Sequence, residues 1–171
     1  MSGDFPSVSP ASATADSGPG TIRLALYQPD IPQNAGNMIR TAAALGVGVD
    51  LIEPCGFVVD DRKFKRAGMD YLERAAVTRH ASWAAFLETV TGRRLILLTT
   101  RGETAYTDFR FQPGDVILTG TESKGAPDGV HAAAFARVRI PMRAGLRSLN
   151  VAAAAAMVLG EALRQLDGFA G

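Results

Sequence analysis

Apolar and polar positions divide the chain into short strand-like runs separated by helical patterns. Residues 22–27, IRLALY, alternate between apolar and other side chains, which predicts a strand. Residues 94–100 and 115–120 each contain an unbroken apolar run, which is typical of strands buried on both faces of a parallel sheet. Because these strands alternate with helical segments, the pattern predicts an α/β fold with a mostly parallel sheet and helices on both faces.

Local signals place the remaining elements. Asn34 is expected to cap a helix that ends at Gly46, and Ser82 is expected to cap a helix over residues 83–90. The sequence shows no internal repeat, so one domain accounts for the whole pattern. Further strands are predicted at residues 47–52, 75–78 and 137–140, and short helices at residues 62–69 and 130–135.

A charge-free, alanine-rich stretch over residues 149–160 predicts a helix that needs cover on all sides. Ser148 is expected to be its N-cap. Because one thin α/β layer offers limited cover, we expect a homodimer built on this helix, which continues to Leu166, and on the helix from Asn34 to Leu45. The alternative is a monomer whose last helix is covered by its own sheet.

Composition narrows the possible functions. The chain has 171 residues and a net charge of +1, so a nucleic acid would have to be bound by local basic patches. The single cysteine, Cys55, excludes an internal disulfide, and two histidines make a metal site unexpected. No apolar run reaches membrane length, so we expect a cytoplasmic protein without a membrane partner. Residues 1–20, rich in Ser, Pro, Ala and Gly, are expected to form a disordered tail before a single domain over residues 21–171.

Three predicted strand ends carry loops rich in Gly, Thr, Ser and Pro, at residues 99–102, 120–125 and 141–150. In open α/β sheets, ligands bind beyond the carboxyl ends of the strands. Each loop alone could be a plain turn, but three along one sheet edge indicate a small-molecule site.

Two polar residues on the first helix are further candidates. Asn37 and Arg40 lie three residues apart and therefore share a helix face. Arg40 is either a clamp for a phosphate or carboxylate or an ordinary ion-pair arginine. Basic clusters at residues 62–66 and 137–147 are either nucleic-acid contacts or solvated faces. Both histidines, His80 and His131, are expected to be structural.

Five segments together carry a resemblance to a known family. The chain resembles the SPOUT methyltransferases, and within them the small TrmL type, over about residues 21–167. The motifs occur in the order and spacing of that family. They are PQNAGNMIR at residues 32–40, LIEPCGF at 51–57, RAGMDY at 66–71, GTESKG at 120–125 and IPMRAGLRSLN at 140–150.

The resemblance implies a fold and an activity. It implies a deep C-terminal trefoil knot, a homodimer, and S-adenosylmethionine bound in a bent form inside the knot. It also implies methyl transfer to the ribose 2′-hydroxyl of the wobble nucleotide of tRNA, a cytidine or uridine at position 34, in certain leucine tRNAs. The alternatives are an RNA-binding protein that has lost catalysis and a 2′-O-methyltransferase acting on another RNA.

The resemblance also implies roles for individual residues, none of them metal-binding. Arg40 is expected to orient the substrate and clamp a phosphate, because a guanidinium with a pKa above about 12 is a poor base. The chain departs from the family pattern at three positions: Leu146 stands where a serine is common, Gly160 where a tyrosine is common, and Thr121 where proline is usual. The departures at Leu146 and Gly160 are expected to alter the RNA contacts. Catalytic roles are implied for Asn37, Arg40, Ser148 and Asn150, cofactor binding for Leu98, Thr99, Gly120, Glu122, Ile140, Met142, Ser148 and Leu149, and substrate binding for Arg40, Lys124, Arg143 and Arg147.

Overall fold

The computed structural model describes residues 21–59 and 76–169. The predicted tail and the predicted helix at residues 62–69 lie outside these residues. The strands are β1 Arg23–Tyr27, β2 Gly48–Ile52, β3 Val77–His80, β4 Leu95–Leu98, β5 Thr104–Ala105, β6 Val116–Thr119 and β7 Ala136–Arg139. The helices are α1 Pro32–Ala44, α2 Trp83–Thr89, α3 Asp128–Ala133 and α4 Val151–Gln165.

The strands form one seven-stranded sheet in the order β3-β2-β1-β6-β4-β7-β5, and every pairing is parallel. The register pairs Leu26 of β1 and Leu98 of β4 with the same residue of β6, Thr119. Leu98 also pairs with Val138 of β7. The carboxyl ends of β1, β6, β4 and β7 therefore lie side by side at one edge. The predicted parallel α/β sheet is confirmed.

Helices cover both faces of the sheet, as predicted. Leu24 and Leu26 belong to a core that includes α1 and α4, whereas Ala25 between them belongs to a second core with Phe86 of α2 and Val130 of α3. This alternation follows from the two-residue period of a strand. Fully burying an aliphatic or aromatic side chain contributes roughly 1.5–3 kcal/mol, so both cores stabilise the sheet.

Among residues 21–59 and 76–169, helix α4 is covered on one side only. Ala155, Leu159 and Ala162 are fully buried. Leu149, just before the helix, and Met157 are 43% and 42% exposed. The sheet and α1 thus cover one face, and the cover that the sequence predicts for the other face is not provided by the described residues.

Buried charges tie β1, β2 and β3 together on the second face. Arg23 Nε donates to Asp50 Oδ2 at 2.6 Å, and His80 Nε2 lies 2.8 Å from Asp50 Oδ1. All three side chains are buried. A Cβ on Gly48 would collide with the Arg23 guanidinium, which explains a glycine in the middle of a core strand. His80 thus lies in the core, in keeping with a structural role.

Helix α1 begins earlier than the sequence predicts. Its N-cap is Ile31, and Pro32 stands in the first turn, where its missing N–H is not needed. Asn34 therefore does not cap the helix but lies buried inside its first turn. Ser82 does cap α2, with its hydroxyl accepting from Ala85 N at 3.1 Å. Within residues 21–59 and 76–169, no helix has the length and apolar character needed to cross a membrane.

Candidate functional site

A cavity of about 700 Å³ opens at the carboxyl edge of the sheet. Its walls are the loops after β4, β6 and β7 and the first turn of α4. The three loops meet there because β6, β4 and β7 are neighbours in the sheet. A volume of this size suits a single small organic molecule.

Most of the residues implied by the resemblance line this cavity. The loop after β7 is exposed apart from Met142, so the cavity has one wall that a large partner can reach. Lys124, Arg147 and Asn150 line it as well. The predicted cofactor-binding residues that line it are Leu98, Thr99, Gly120, Glu122, Ile140, Met142, Ser148 and Leu149.

Three of the implied residues lie outside the cavity. Asn37 and Arg40 are both on the exposed side of α1, as their spacing predicts. Arg143 is exposed in the loop after β7 and does not line the cavity either. These three exposed side chains therefore do not line the cavity.

Asn150, and not Ser148, caps helix α4. Its Oδ1 accepts from Ala152 N at 2.9 Å and from Ala153 N at 3.3 Å. Its Nδ2 donates to Asn34 Oδ1 at 2.9 Å. The prediction that Ser148 is the cap is wrong, because Asn150 bonds both to the helix start and to the first turn of α1. One amide thus joins the two helices at the cavity wall.

The loop after β6 is closed by its own bonds. Thr121 N donates to Gly125 O at 3.1 Å, and Gly125 N donates to Thr121 O at 2.9 Å. The Thr121 hydroxyl accepts from Lys124 N at 3.1 Å. A proline at position 121, which the resemblance leads one to expect, would lack the first of these donors. A Cβ on Gly120 would lie 2.6 Å from Gly125 C, so this strand end needs glycine.

Glu122 in the same loop is bonded to the loop before α1. Asp30 N donates to Glu122 Oε2 at 3.0 Å, and Glu122 N donates to Asp30 Oδ1 at 3.0 Å. Burial raises the pKa of Glu122 above its usual value. A hydrogen bond from Glu122 lowers the pKa of Asp30 to about 2. Asp30 is not part of any pattern recognised in the sequence.

Cationic groups outnumber acidic ones in the lining. Arg101, Lys124 and Arg147 line the cavity, and Glu122 is the one acidic residue among the described residues that do so. His131 of α3 also lines it, a position that the expectation of a structural role did not include. Burial, followed by the nearby charges of Arg101 and Arg137, lowers the pKa of His131 and favours a neutral imidazole. Nothing in the local sequence around His131 signals this position.

The donor set of the cavity does not point to a metal. Within the described part of the chain, no three or more His, Cys, Asp or Glu side chains are grouped so that they could hold a metal ion. The lining instead combines backbone groups at strand ends, amides, four hydroxyl side chains and cations. Such a set suits an organic ligand with polar ends.

Known proteins are similar to this chain over most of its length. The model of the SpoU rRNA Methylase family matches residues 21–160. The tRNA (cytidine(34)-2'-O)-methyltransferase of Beijerinckia indica is 60% identical over 149 residues, which cover 86% of this chain and 93% of that protein. The protein of the same name from Escherichia coli K12 is 44% identical over 147 residues, which cover 85% of this chain and 94% of its own.

Solved structures share the fold. One, described as "Structural insights into the 2-OH methylation of C/U34 on tRNA", is 48% identical, with a TM-score of 0.81 over 88% of this chain and 99% of its own. The SpoU methyltransferase AviRb from Streptomyces viridochromogenes, in complex with the cofactor AdoMet, is 27% identical, with a TM-score of 0.81 over 94% of this chain and 64% of its own.

Proposed function

The chain belongs to the SpoU rRNA Methylase family, and we propose that it is an S-adenosylmethionine-dependent enzyme that methylates the ribose 2′-hydroxyl of nucleotide 34 in tRNA. One observation carries the proposal. In a chain 60% identical to a tRNA (cytidine(34)-2'-O)-methyltransferase, three polar loops at neighbouring strand ends enclose one cavity of about 700 Å³.

The cavity fits S-adenosylmethionine by size and by chemistry. Its volume of about 700 Å³ is sufficient for a nucleoside joined to an amino acid. Backbone groups of Leu98, Gly120 and Ile140, which line the cavity, would hydrogen-bond an adenine edge or ribose hydroxyls. When bound, S-adenosylmethionine supplies a methyl group on a sulfonium that is already a good leaving group.

The residues around the cavity would then do three things. The loops after β4, β6 and β7 bind the donor and exclude water from it. Lys124 and Arg147 at the cavity, with Arg143 beside it, neutralise RNA phosphates. Arg40, on the exposed side of α1, orients the nucleotide and clamps a phosphate with its planar guanidinium. Alignment of hydroxyl, methyl carbon and sulfur is the main contribution of the protein to the rate.

The finer parts of the proposal concern the substrate and the chain path. We infer that the target nucleotide is cytidine or uridine and that leucine tRNAs are the substrates. A tRNA substrate also favours a cytoplasmic location. The C-terminal segment is proposed to thread through a loop to form a trefoil knot, which agrees with the packing of α4 against α1 beside the three cavity loops.

A homodimer is part of the same proposal. Leu149, Ala153 and Met157 recur every four residues and are all exposed, which gives α4 an uncovered apolar stripe. Leu146, 66% exposed, extends this stripe on the loop before the helix. A second copy of the chain, with the same stripe related by a twofold axis, would cover it. Two copies would also bring twice the number of basic residues to one RNA.

Methylation of defined tRNA tests the function. Purified protein, S-adenosylmethionine and a tRNA transcript are combined, and nucleosides are mapped by mass spectrometry. We expect one 2′-O-methyl group at nucleotide 34, and none on a matched transcript with a 2′-deoxynucleotide there. Methylation elsewhere would support another RNA target. Donor binding without transfer to any RNA would support the inactive RNA-binding alternative.

A further inference from the structure

Two carboxyl groups from distant parts of the chain meet beside the cavity, which Glu122 lines. Asp30 and Glu122 exchange backbone-to-carboxylate hydrogen bonds, both 3.0 Å long. Ser123 adds two donors to Asp30 Oδ2, its N–H at 3.3 Å and its hydroxyl. Neither carboxyl forms an ion pair with a Lys or Arg of the described residues. The contact therefore depends on hydrogen bonds and not on a salt bridge.

The second oxygen of Glu122 indicates the protonation state of the pair. Glu122 Oε1 is buried and has no hydrogen-bond partner in the described part of the chain. A buried anionic oxygen without a donor is costly, whereas a neutral carboxyl carries less of that cost and can itself donate to Asp30. A proton on Glu122 thus removes the charge beside Asp30 and gives the pair one more bond.

We propose that Asp30 and Glu122 hold a single proton between them, residing on Glu122, and that this pair positions the cofactor-binding loop after β6. The inference rests on the proposed function, because that loop is proposed to bind S-adenosylmethionine. Glu122 is then a positioning residue and not the proton acceptor of the reaction. Its neutral carboxyl holds residues 120–125 against the loop before α1.

Burial and the neighbouring carboxyl of Asp30 favour the protonated form of Glu122, whereas cations favour the ionised form. Besides Asp30, Cys55 of the segment after β2 lies near Glu122. Burial and the charge of Glu53 raise the pKa of the Cys55 thiol to about 11, so the thiol stays neutral. Glu53 itself is paired with Arg79, whose Nε donates to Glu53 Oε1 at 2.7 Å. The pKa of Glu122 is raised mainly by burial and then by Asp30. The cationic groups that share the cavity with Glu122 are Arg101, Lys124, Arg147 and, when protonated, His131.

The sign of the pH effect follows directly. As pH rises through the raised pKa of Glu122, the proton is lost and two carboxylates oppose one another. The bond between the loops then weakens, and the affinity for S-adenosylmethionine falls. A glutamine at position 122 cannot titrate, yet its amide can donate to Asp30 and accept from the Asp30 N–H.

Calorimetric titration with S-adenosylmethionine from about pH 5 to about pH 9 tests the pair. We expect Glu122→Ala to raise Kd by about tenfold or more, and Glu122→Gln to restore it to within about threefold of the wild type. The wild-type Kd should rise with pH and the Glu122→Gln Kd should not. Asp30→Asn should weaken binding as Glu122→Ala does, because an amide N–H would face the Ser123 donors. Glu88→Gln, on the exposed side of α2, is the matched control.

Two results would overturn the inference. If Glu122→Gln binds as weakly as Glu122→Ala, an ionised carboxylate is required. If wild type and Glu122→Gln share one pH profile, the titrating group is elsewhere. A wild-type protein that binds no S-adenosylmethionine at any pH would contradict the proposed function and this inference with it. If the wild type binds and Glu122→Ala and Glu122→Gln lose affinity equally, only the inference is contradicted.

Discussion

Replacing Asn150 with alanine is expected to destabilise the protein far more than replacing Ser148, two residues earlier. Asn150→Ala removes the acceptor for Ala152 N and Ala153 N at the start of α4. Loss of such a cap costs about 1 kcal/mol. It also leaves the buried Asn34 Oδ1 without its donor, and an unpaired buried acceptor costs about 1–3 kcal/mol.

Water in the cavity limits the cost of leaving Asn34 Oδ1 without its donor. Asn34 and Asn150 both line the cavity, so water there can replace part of the lost bond. The lower end of the range therefore applies, and we expect Asn150→Ala to lower the free energy of unfolding by about 2 kcal/mol. For a chain of this length, such a loss lowers Tm by about 4–8 °C. Ser148→Ala should change the free energy of unfolding by less than about 0.5 kcal/mol.

Urea unfolding followed by circular dichroism measures both variants, at one protein concentration because association would shift the midpoint. Asn150→Asp separates the two contributions, since aspartate caps a helix but cannot donate to Asn34. It should lose about 1 kcal/mol. A loss below about 0.5 kcal/mol for Asn150→Ala, or a larger loss for Ser148→Ala than for Asn150→Ala, would refute the assignment of the cap.

Three further outcomes are expected. Arg40→Ala should keep the Kd for S-adenosylmethionine within about threefold of the wild type while removing most methyl transfer, because Arg40 lies outside the cavity; unchanged transfer rates in a single-turnover assay would reduce it to a structural role. Gly160→Ala should raise the free energy of unfolding by about 0.5–1 kcal/mol, because the position is helical and an added Cβ meets open space. Thermal or urea unfolding measures this, and a loss of stability would mean that a partner covers the position. Ala153→Glu should convert a dimer to a monomer in light scattering, with Ala133→Glu on α3 as the matched exposed control; a wild type that is monomeric at micromolar concentration yet methylates tRNA would contradict the dimer.

Local sequence predicted every described strand except the two-residue β5, and it predicted the order of the candidate loops. The apolar runs ending near Leu98 and Thr119 are strands in the structure, within one or two residues of their predicted bounds. A fully apolar strand is typical of a parallel sheet covered by helices on both faces, so the pattern, together with the helical segments between the strands, also indicated the fold class. Since ligand loops follow strand ends, the three loops could be identified before their neighbours in the sheet were known.

Local sequence could not choose between chemically equivalent caps. Ser148 and Asn150 are both good N-cap residues, two positions apart. The structure selects Asn150 because its amide also reaches Asn34, 116 residues away in the sequence. Asn34 was wrongly predicted to be a cap for the same reason, since Pro32 could start the helix equally well and the buried amide was needed elsewhere.

Only the tertiary structure brought together the groups that decide the electrostatics of the site. Asp30 and Glu122 are 92 residues apart in the sequence, and each in isolation is an ordinary loop carboxylate. Their contact requires β1 and β6 to be neighbours in the sheet. His131 belongs to α3, the helix that connects β6 to β7, and it likewise lines the cavity only in the folded chain. Sequence patterns record the period of each element, whereas protonation states depend on burial and on partners that the packing supplies.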